Sequence, residues 1–87
     1  MIDNYMLFDK LPCIDLHGED KISAIIKTKE FINDNIKLKN QLIIVIHGIG
    51  QGILRDEIHK YLKTNKNVIN YKLDNFNRGK TIIELKL

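Results

Sequence analysis

The sequence predicts an α/β two-layer sandwich, with the order β-α-β-α-β-β and a mixed four-stranded sheet. Three observations carry this. Two stretches with apolar residues at helical spacing each follow a short run that reads as a strand. The last two apolar segments alternate at period two and are joined by a short polar turn. The chain has 87 residues, and a domain of this size buries roughly 60–65% of its unfolded surface, enough for one core. With only two helices, both are expected on one face of the sheet.

The first ten residues read as an N-terminal arm, and the domain as residues 11–87. Residues 11–16, LPCIDL, form the first strand, opened by Pro12 and closed by Gly18. Alternation places Ile14 and Leu16 on one face, and Cys13, Asp15 and His17 on the other. Asp20 is the expected helix cap, with Glu19 as the alternative. The helix runs over 20–38, with Ile22, Ile25, Ile26, Ile32 and Ile36 on one side and Ala24 and Phe31 widening it. Lys29 interrupts that stripe.

Residues 41–46, QLIIVI, form a continuous β-branched run, the pattern of a central strand. A second helix follows over 52–63, with Ile53, Leu54, Ile58, Tyr61 and Leu62 at helical spacing. Residues 65–67 form a turn. Residues 68–76 alternate in part, and 75–79 form a polar turn. Residues 81–87 set Ile83, Leu85 and Leu87 against Ile82, Glu84 and Lys86. The first two strands are expected to be parallel, because a helix connects them. The closing pair is expected to be antiparallel.

Composition narrows the function classes. The chain is 44% apolar and 29% charged, with one Pro and five Gly, which is a globular composition. No apolar run approaches the roughly 20 residues of a membrane helix, so no membrane partner is expected. Residues 1–10 hold acids and no apolar segment of the kind a signal peptide needs. The single cysteine, Cys13, has no partner for an internal disulfide, and no Cys/His spacing suggests a metal site. A reducing cytoplasm is the expected location. The formal charge of +3 permits an anionic partner without demanding one. Lysine accounts for 12 of the 14 basic residues, a bias that suits an AT-rich genome. Arg55 and Arg78 therefore carry more information than the lysines do.

Two motifs bear chemistry. The first is Ile14-Asp15-Leu16-His17-Gly18. Asp15 and His17 share a strand face at its carboxyl end. A carboxylate beside an imidazole raises its pKa and fixes its tautomer, which suits proton transfer. A helix-capping Asp and a surface His would read the same way. The second is His47-Gly48-Ile49-Gly50-Gln51-Gly52-Ile53-Leu54-Arg55. Three glycines between a strand and a helix let backbone amides approach an anion, beside the positive end of the helix dipole. Arg55 in the first helical turn opposes that dipole, which points to an anionic partner. The loop lacks the Gly-Lys-Ser/Thr of a P-loop, and its spacing is not a dinucleotide fingerprint. Parallel strands present their carboxyl ends at one edge. His17, His47, Asp15, the glycine loop and Arg55 are therefore expected in one crevice.

These residues resemble the Smr domain, the small MutS-related family. Its pattern is an L-D-L-H-G strand end, a helix carrying an alanine, and H/T-G-x-G-x-G-x-L-R opening a second helix. Here these stand as residues 14–18, Ala24 and residues 47–55, and the resemblance spans about residues 12–87. It implies a fold like the C-terminal domain of initiation factor three, in agreement with the element order above. It also implies nucleic-acid binding, with endonuclease cleavage of RNA or DNA in several members and action on stalled ribosomes in some. The sequence departs from the family before the last strand. There the family's G-G-x-G turn is replaced by Asn77-Arg78-Gly79-Lys80-Thr81, with two basic residues in place of glycines.

The expected partners are RNA or DNA, with the ribosome as a further expectation. An endonuclease would use His17, oriented by Asp15, as base and His47 as acid, or the reverse. Gly18, Gly48, Gly50, Gly52, Arg55, Arg78 and Lys80 would hold phosphate. No cofactor is required, although Asp15 with Glu19 leaves Mg²⁺ open. The alternative is a binding module for nucleic acid or a ribosomal surface, without chemistry. A third reading has His17 and His47 simply closing the strand ends. His59 is expected in solvent, and so is a stripe of Lys60, Lys63 and Lys66. Cys13 is expected as a small buried filler. Tyr5 and Phe8 in the arm are expected to pack on the sheet, with base stacking as the alternative. The chain reads as a free-standing domain or as a piece of a longer protein.

Overall fold

The computed structural model describes residues 11–74 and 77–87. The arm of residues 1–10, with Tyr5 and Phe8, lies outside the described residues, as do Asn75 and Phe76. The elements are β1 (Cys13–Asp15), α1 (Lys21–Lys37), β2 (Leu42–Ile46), α2 (Ile53–Thr64), β3 (Val68–Leu73) and β4 (Lys80–Leu85). The sheet order is β1-β2-β4-β3. β1 and β2 are parallel, and β4 is antiparallel to both β2 and β3. The architecture is the predicted mixed sandwich.

Register fixes the two faces of the sheet. Ile43 pairs with Ile83, and Ile44 with Ile82. Leu16, Ile43, Val45, Ile83 and Leu85 pack with Ala24 and Ile32 of α1 and with Ile58 and Leu62 of α2. Both helices therefore cover one face. Fully burying each such side chain stabilises by about 1.5–3 kcal/mol. The opposite face carries a smaller cluster, Ile44 and Ile82, against which Leu11, Leu42 and Ile46 pack. Strand β3 has a register shift between Val68 and Asn70, which accounts for its imperfect alternation.

Helix α1 corrects the predicted stripe. Asp20 is the cap, and its Oδ1 accepts the Ser23 amide at 2.8 Å. The buried residues are Ala24, Thr28, Ile32 and Asn35. Ile22 and Ile26 are 75% and 53% exposed. Each stands two residues before a member of the true stripe, about 200° around the helix. Thr28 and Asn35 tolerate burial because they bond the preceding turn. Thr28 Oγ1 donates to the Ala24 carbonyl at 2.7 Å, and Asn35 Nδ2 donates to the Phe31 carbonyl at 2.8 Å. Lys29 is exposed and disturbs nothing. Cys13 is also a correction, because it is exposed on the face away from the helices. Leu87 is exposed too, so the core face of the last strand ends at Leu85.

Candidate functional site

The carboxyl ends of β1 and β2 meet the N-terminus of α2 at one edge of the sheet. A crevice of about 140 Å³ opens there, lined by Gly18, Glu19 and residues 47–55. Its floor is the glycine loop. Gly48 has φ +86°, and a Cβ on it would stand 3.2 Å from the His17 Cβ. Glycine at this position lets the two motifs lie against each other. Gly52 has φ +79°, and a Cβ there would overlap the Arg55 guanidinium, at 2.4 Å from Nη2. Arg55 therefore folds back over Gly52 at the helix start. Its Nε donates to Asp56 Oδ1 at 3.0 Å, which leaves the Nη groups outside that ion pair. No side chain caps α2, and its first amides lack intrahelical acceptors. Crevice, amides and guanidinium together suit an anion.

Asp15 and His17 form a clamp. Asp15 Oδ1 lies 2.6 Å from His17 Nδ1 and accepts the His17 amide at 3.1 Å. A carboxylate oxygen only accepts, so Nδ1 carries the proton and Nε2 is left for a ligand. Both side chains are exposed. The hydrogen bond from His17, with its amide, holds the Asp15 carboxyl below its ordinary range. The same bond, with the Asp15 charge, raises the His17 imidazole above its ordinary 6.5.

His47 is placed differently from the expectation. Asp15 pairs with Ile46 on the face away from the helices. His47 continues the Ile43–Val45 face and is only 4% exposed. Its Nδ1 lies 3.0 Å from the Gly48 carbonyl and its Nε2 lies 2.8 Å from Thr81 Oγ1. The two imidazoles do not converge, and both nitrogens of His47 bond to the protein itself. Burial also pushes its pKa down. His47 thus lines the crevice with both ring nitrogens already engaged within the protein. Gly48 also lines the crevice, and its amide donates to the Gly79 carbonyl at 3.1 Å.

The remaining expected residues divide. Gly18, Gly50, Gly52 and Arg55 line the crevice. Lys80 pairs in register with Ile46, which pairs with Asp15. Lys80 and Asp15 therefore share one row across the face away from the helices. Arg78 is exposed in the β3–β4 turn. The proposed Mg²⁺ donors do not fit together. Glu19 pairs with Lys27 at 3.0 Å, Asp15 is held by His17, and no metal-holding cluster of acids, His or Cys occurs among the described residues.

Three contributors escaped sequence reasoning. His59 is half-buried, not solvated, and its Nε2 lies 2.7 Å from Thr81 Oγ1. Thr81 is fully buried on the helix-facing side of β4. Gly79 is the glycine that the altered turn retains, and its carbonyl accepts both the His47 and Gly48 amides. The available signal was Thr81 itself, a hydroxyl in phase with Ile83 and Leu85 on the core face.

Fold and crevice together define a small α/β domain with its candidate site at the carboxyl ends of its two parallel strands. The chain belongs to the Smr domain family, whose model matches residues 14–86. Endonuclease MutS2 of Clostridium acetobutylicum is 41% identical over 76 residues, covering 84% of this chain and 10% of that protein. Endonuclease MutS2 of Clostridium kluyveri is 37% identical over the same length and coverage. The chain thus spans about a tenth of these relatives. Among solved structures, the Smr domain of Thermus thermophilus MutS2 superposes with a TM-score of 0.86 at 22% identity, covering 88% of this chain and all of that one. YdaL, a stand-alone small MutS-related protein from Escherichia coli, superposes at 0.82 with 17% identity, covering 97% of this chain and 77% of that one. These likenesses establish the shared fold.

Proposed function

We propose that this domain binds nucleic acid at the glycine-loop edge and cleaves a phosphodiester there, with His17 as the proton-transfer group. The observation that carries this reading is the 2.6 Å bond between His17 Nδ1 and Asp15 Oδ1. It leaves the exposed His17 Nε2 as a base on a residue set between Asp15 and Gly18, the latter a lining residue of the crevice. Kinship with Smr domains of proteins named endonucleases supports it. On RNA, His17 Nε2 takes the proton of the 2′-hydroxyl. That oxygen attacks phosphorus, the 5′-oxygen leaves, and solvent protonates it. Asp15 stabilises the imidazolium that forms. Arg55 and the first amides of α2 hold the phosphate oxygens as charge develops. Acid–base assistance of this kind contributes about 10²–10⁴-fold.

The test is cleavage of matched labelled RNA and DNA, single- and double-stranded, in EDTA or in Mg²⁺. RNA cut in EDTA to 2′,3′-cyclic phosphate ends, with the cut lost in His17→Ala, supports the scheme. Only Mg²⁺-dependent 5′-phosphate products would sink it. The second reading, a binding module without chemistry, is favoured by the burial of His47, which leaves one ligand-facing imidazole rather than two. It predicts no cleavage, with binding that weakens linearly with log salt.

A further inference from the structure

We infer that His59 and Thr81 are positioning residues, which hold the glycine loop in its ligand-ready form through His47. This rests on the proposed role of that loop in binding phosphate. The hydrogen bonds run in one direction only. The Gly48 carbonyl can only accept, so His47 Nδ1 carries the proton and donates to it at 3.0 Å. In the neutral ring, Nε2 is then bare, and it accepts the Thr81 hydroxyl at 2.8 Å. That hydroxyl has no second proton, so His59 Nε2–H donates to Thr81 Oγ1 at 2.7 Å. The two histidines therefore carry opposite tautomers, coupled by one threonine. The His59 ring is seated edge-on against Tyr71, with centroids 4.9 Å apart.

The chain of bonds runs from α2, across β4, to the first glycine of the loop. Gly48 is also where an added Cβ would meet His17. What fixes the Gly48 carbonyl thus fixes the contact between the two motifs. A purely space-filling role for residue 59, against the Tyr71 ring, needs no hydrogen-bond donor. The geometry gives that donor a specific acceptor.

The experiment compares Thr81→Val, which keeps the shape and removes the hydroxyl, with Thr81→Ser, which restores it. His59→Leu and His59→Gln form a second pair, since glutamine keeps an N–H donor. The readouts are amide hydrogen exchange at residues 47–52, thermal unfolding, and affinity for a labelled single-stranded oligonucleotide. The expected result is about tenfold faster exchange in the loop of Thr81→Val and His59→Leu, the scale of one lost hydrogen bond. Affinity falls several-fold with it. Thr81→Ser and His59→Gln recover both. A folded Thr81→Val protein with loop exchange within twofold of wild type overturns the inference. If Thr81→Val does not fold, equal loop exchange in His59→Leu and His59→Gln overturns it instead. The exchange readout needs no nucleic acid. A wild-type protein that neither binds nor cuts any oligonucleotide therefore defeats the proposed function, while loop exchange still decides this point.

Discussion

Asp15 Oδ1 receives two hydrogen bonds from one residue, the His17 amide at 3.1 Å and the His17 ring at 2.6 Å. The two bonds lock backbone and imidazole together, so Nε2 projects in one orientation from an exposed strand end. The pair also sets a pH dependence. His17 is raised above 6.5 by the Asp15 bond. A base must be neutral, so cleavage should rise with pH through a pKa above that value. In Asp15→Asn the carboxylate is gone, and the rising limb should move down toward 6.5 while the maximal rate falls. A pH–rate profile of both proteins checks this. A limb that stays in place in Asp15→Asn would remove His17 as the titrating base.

Stability should also fall at low pH, through two other histidines. His47 and His59 have lowered pKa values, mainly because burial disfavours their charged forms. Arg55 and Lys63 push His59 the same way, Asp56 opposes them, and the Tyr71 ring closes its remaining side. Above 6.5 both rings are neutral whether the chain is folded or unfolded. As pH falls below 6.5, the unfolded chain binds protons that the folded one refuses, so stability drops until the folded-state values are reached. The exposed His17 acts oppositely. Its pair with Asp15 contributes below 6.5, and that contribution is lost as pH rises through the raised value. Because the buried rings lose more solvation, the net expectation is a lower melting temperature at pH 5 than at pH 7.

Core substitutions should follow the observed stripe of α1 rather than the isoleucine pattern. Ile32 is fully buried among α1, α2 and the sheet, whereas Ile22 is largely exposed. Ile32→Ala should cost about 2–5 kcal/mol, the range for large-to-alanine changes in cores. Ile22→Ala should stay within about 0.5 kcal/mol. Denaturant unfolding of the two variants measures both. Equal losses would mean that α1 is rotated from the orientation described.

How much was legible in the sequence depended on which signal each residue carried. The order of elements could be read because β2 is an unbroken apolar run, mostly β-branched, and α2 has apolar residues at helical spacing. The rotation of α1 could not, because Thr28 and Asn35 satisfy their own polar groups on the preceding turn and so pass as core residues. Asp15 with His17 was legible because the two lie two residues apart at the end of an extended run. The His47–Thr81–His59 network was not, because it joins residues 22 and 34 positions apart. Such contacts follow from sheet order, and the sequence does not state that β4 inserts beside β2.

Gly52→Ala should damage the crevice in two ways. At φ +79° an L-residue costs about 1–2 kcal/mol. The added Cβ would also displace the Arg55 guanidinium that lies over this position. The melting temperature should fall by several degrees, since about 1 kcal/mol moves a domain of this size by 4–8 °C. Oligonucleotide affinity should fall as well, with a shallower salt dependence, because one cation has moved off the phosphate path. Arg55→Ala should reproduce the affinity loss without the thermal one. If Arg55→Ala binds as wild type does, the guanidinium is not a phosphate contact.

The turn before β4 holds one glycine, and its position explains why that one is retained. The Gly79 carbonyl accepts the amides of His47 and Gly48 at 2.9 and 3.1 Å, so the turn docks directly on the start of the glycine loop. A Cβ on Gly79 would stand 3.1 Å from Asn77 Oδ1 and 3.3 Å from both the Gly48 carbonyl carbon and Ile49 Cγ1. Two of those neighbours belong to the loop that binds ligand in the proposed function. Relief in Gly79→Ala must come from backbone, because Gly48 has no side chain to move. The expected result is faster amide exchange at Gly48 and weaker oligonucleotide binding, with a smaller loss of stability than Ile32→Ala. Arg78→Ala, at the exposed neighbouring position, should instead leave exchange unchanged and lower only the salt-dependent part of binding. The contrast separates the two roles of this turn, close backbone contact at Gly79 and charge at Arg78. Equal exchange in Gly79→Ala and wild type would show that the loop yields freely, and the docking contact would then not set its conformation.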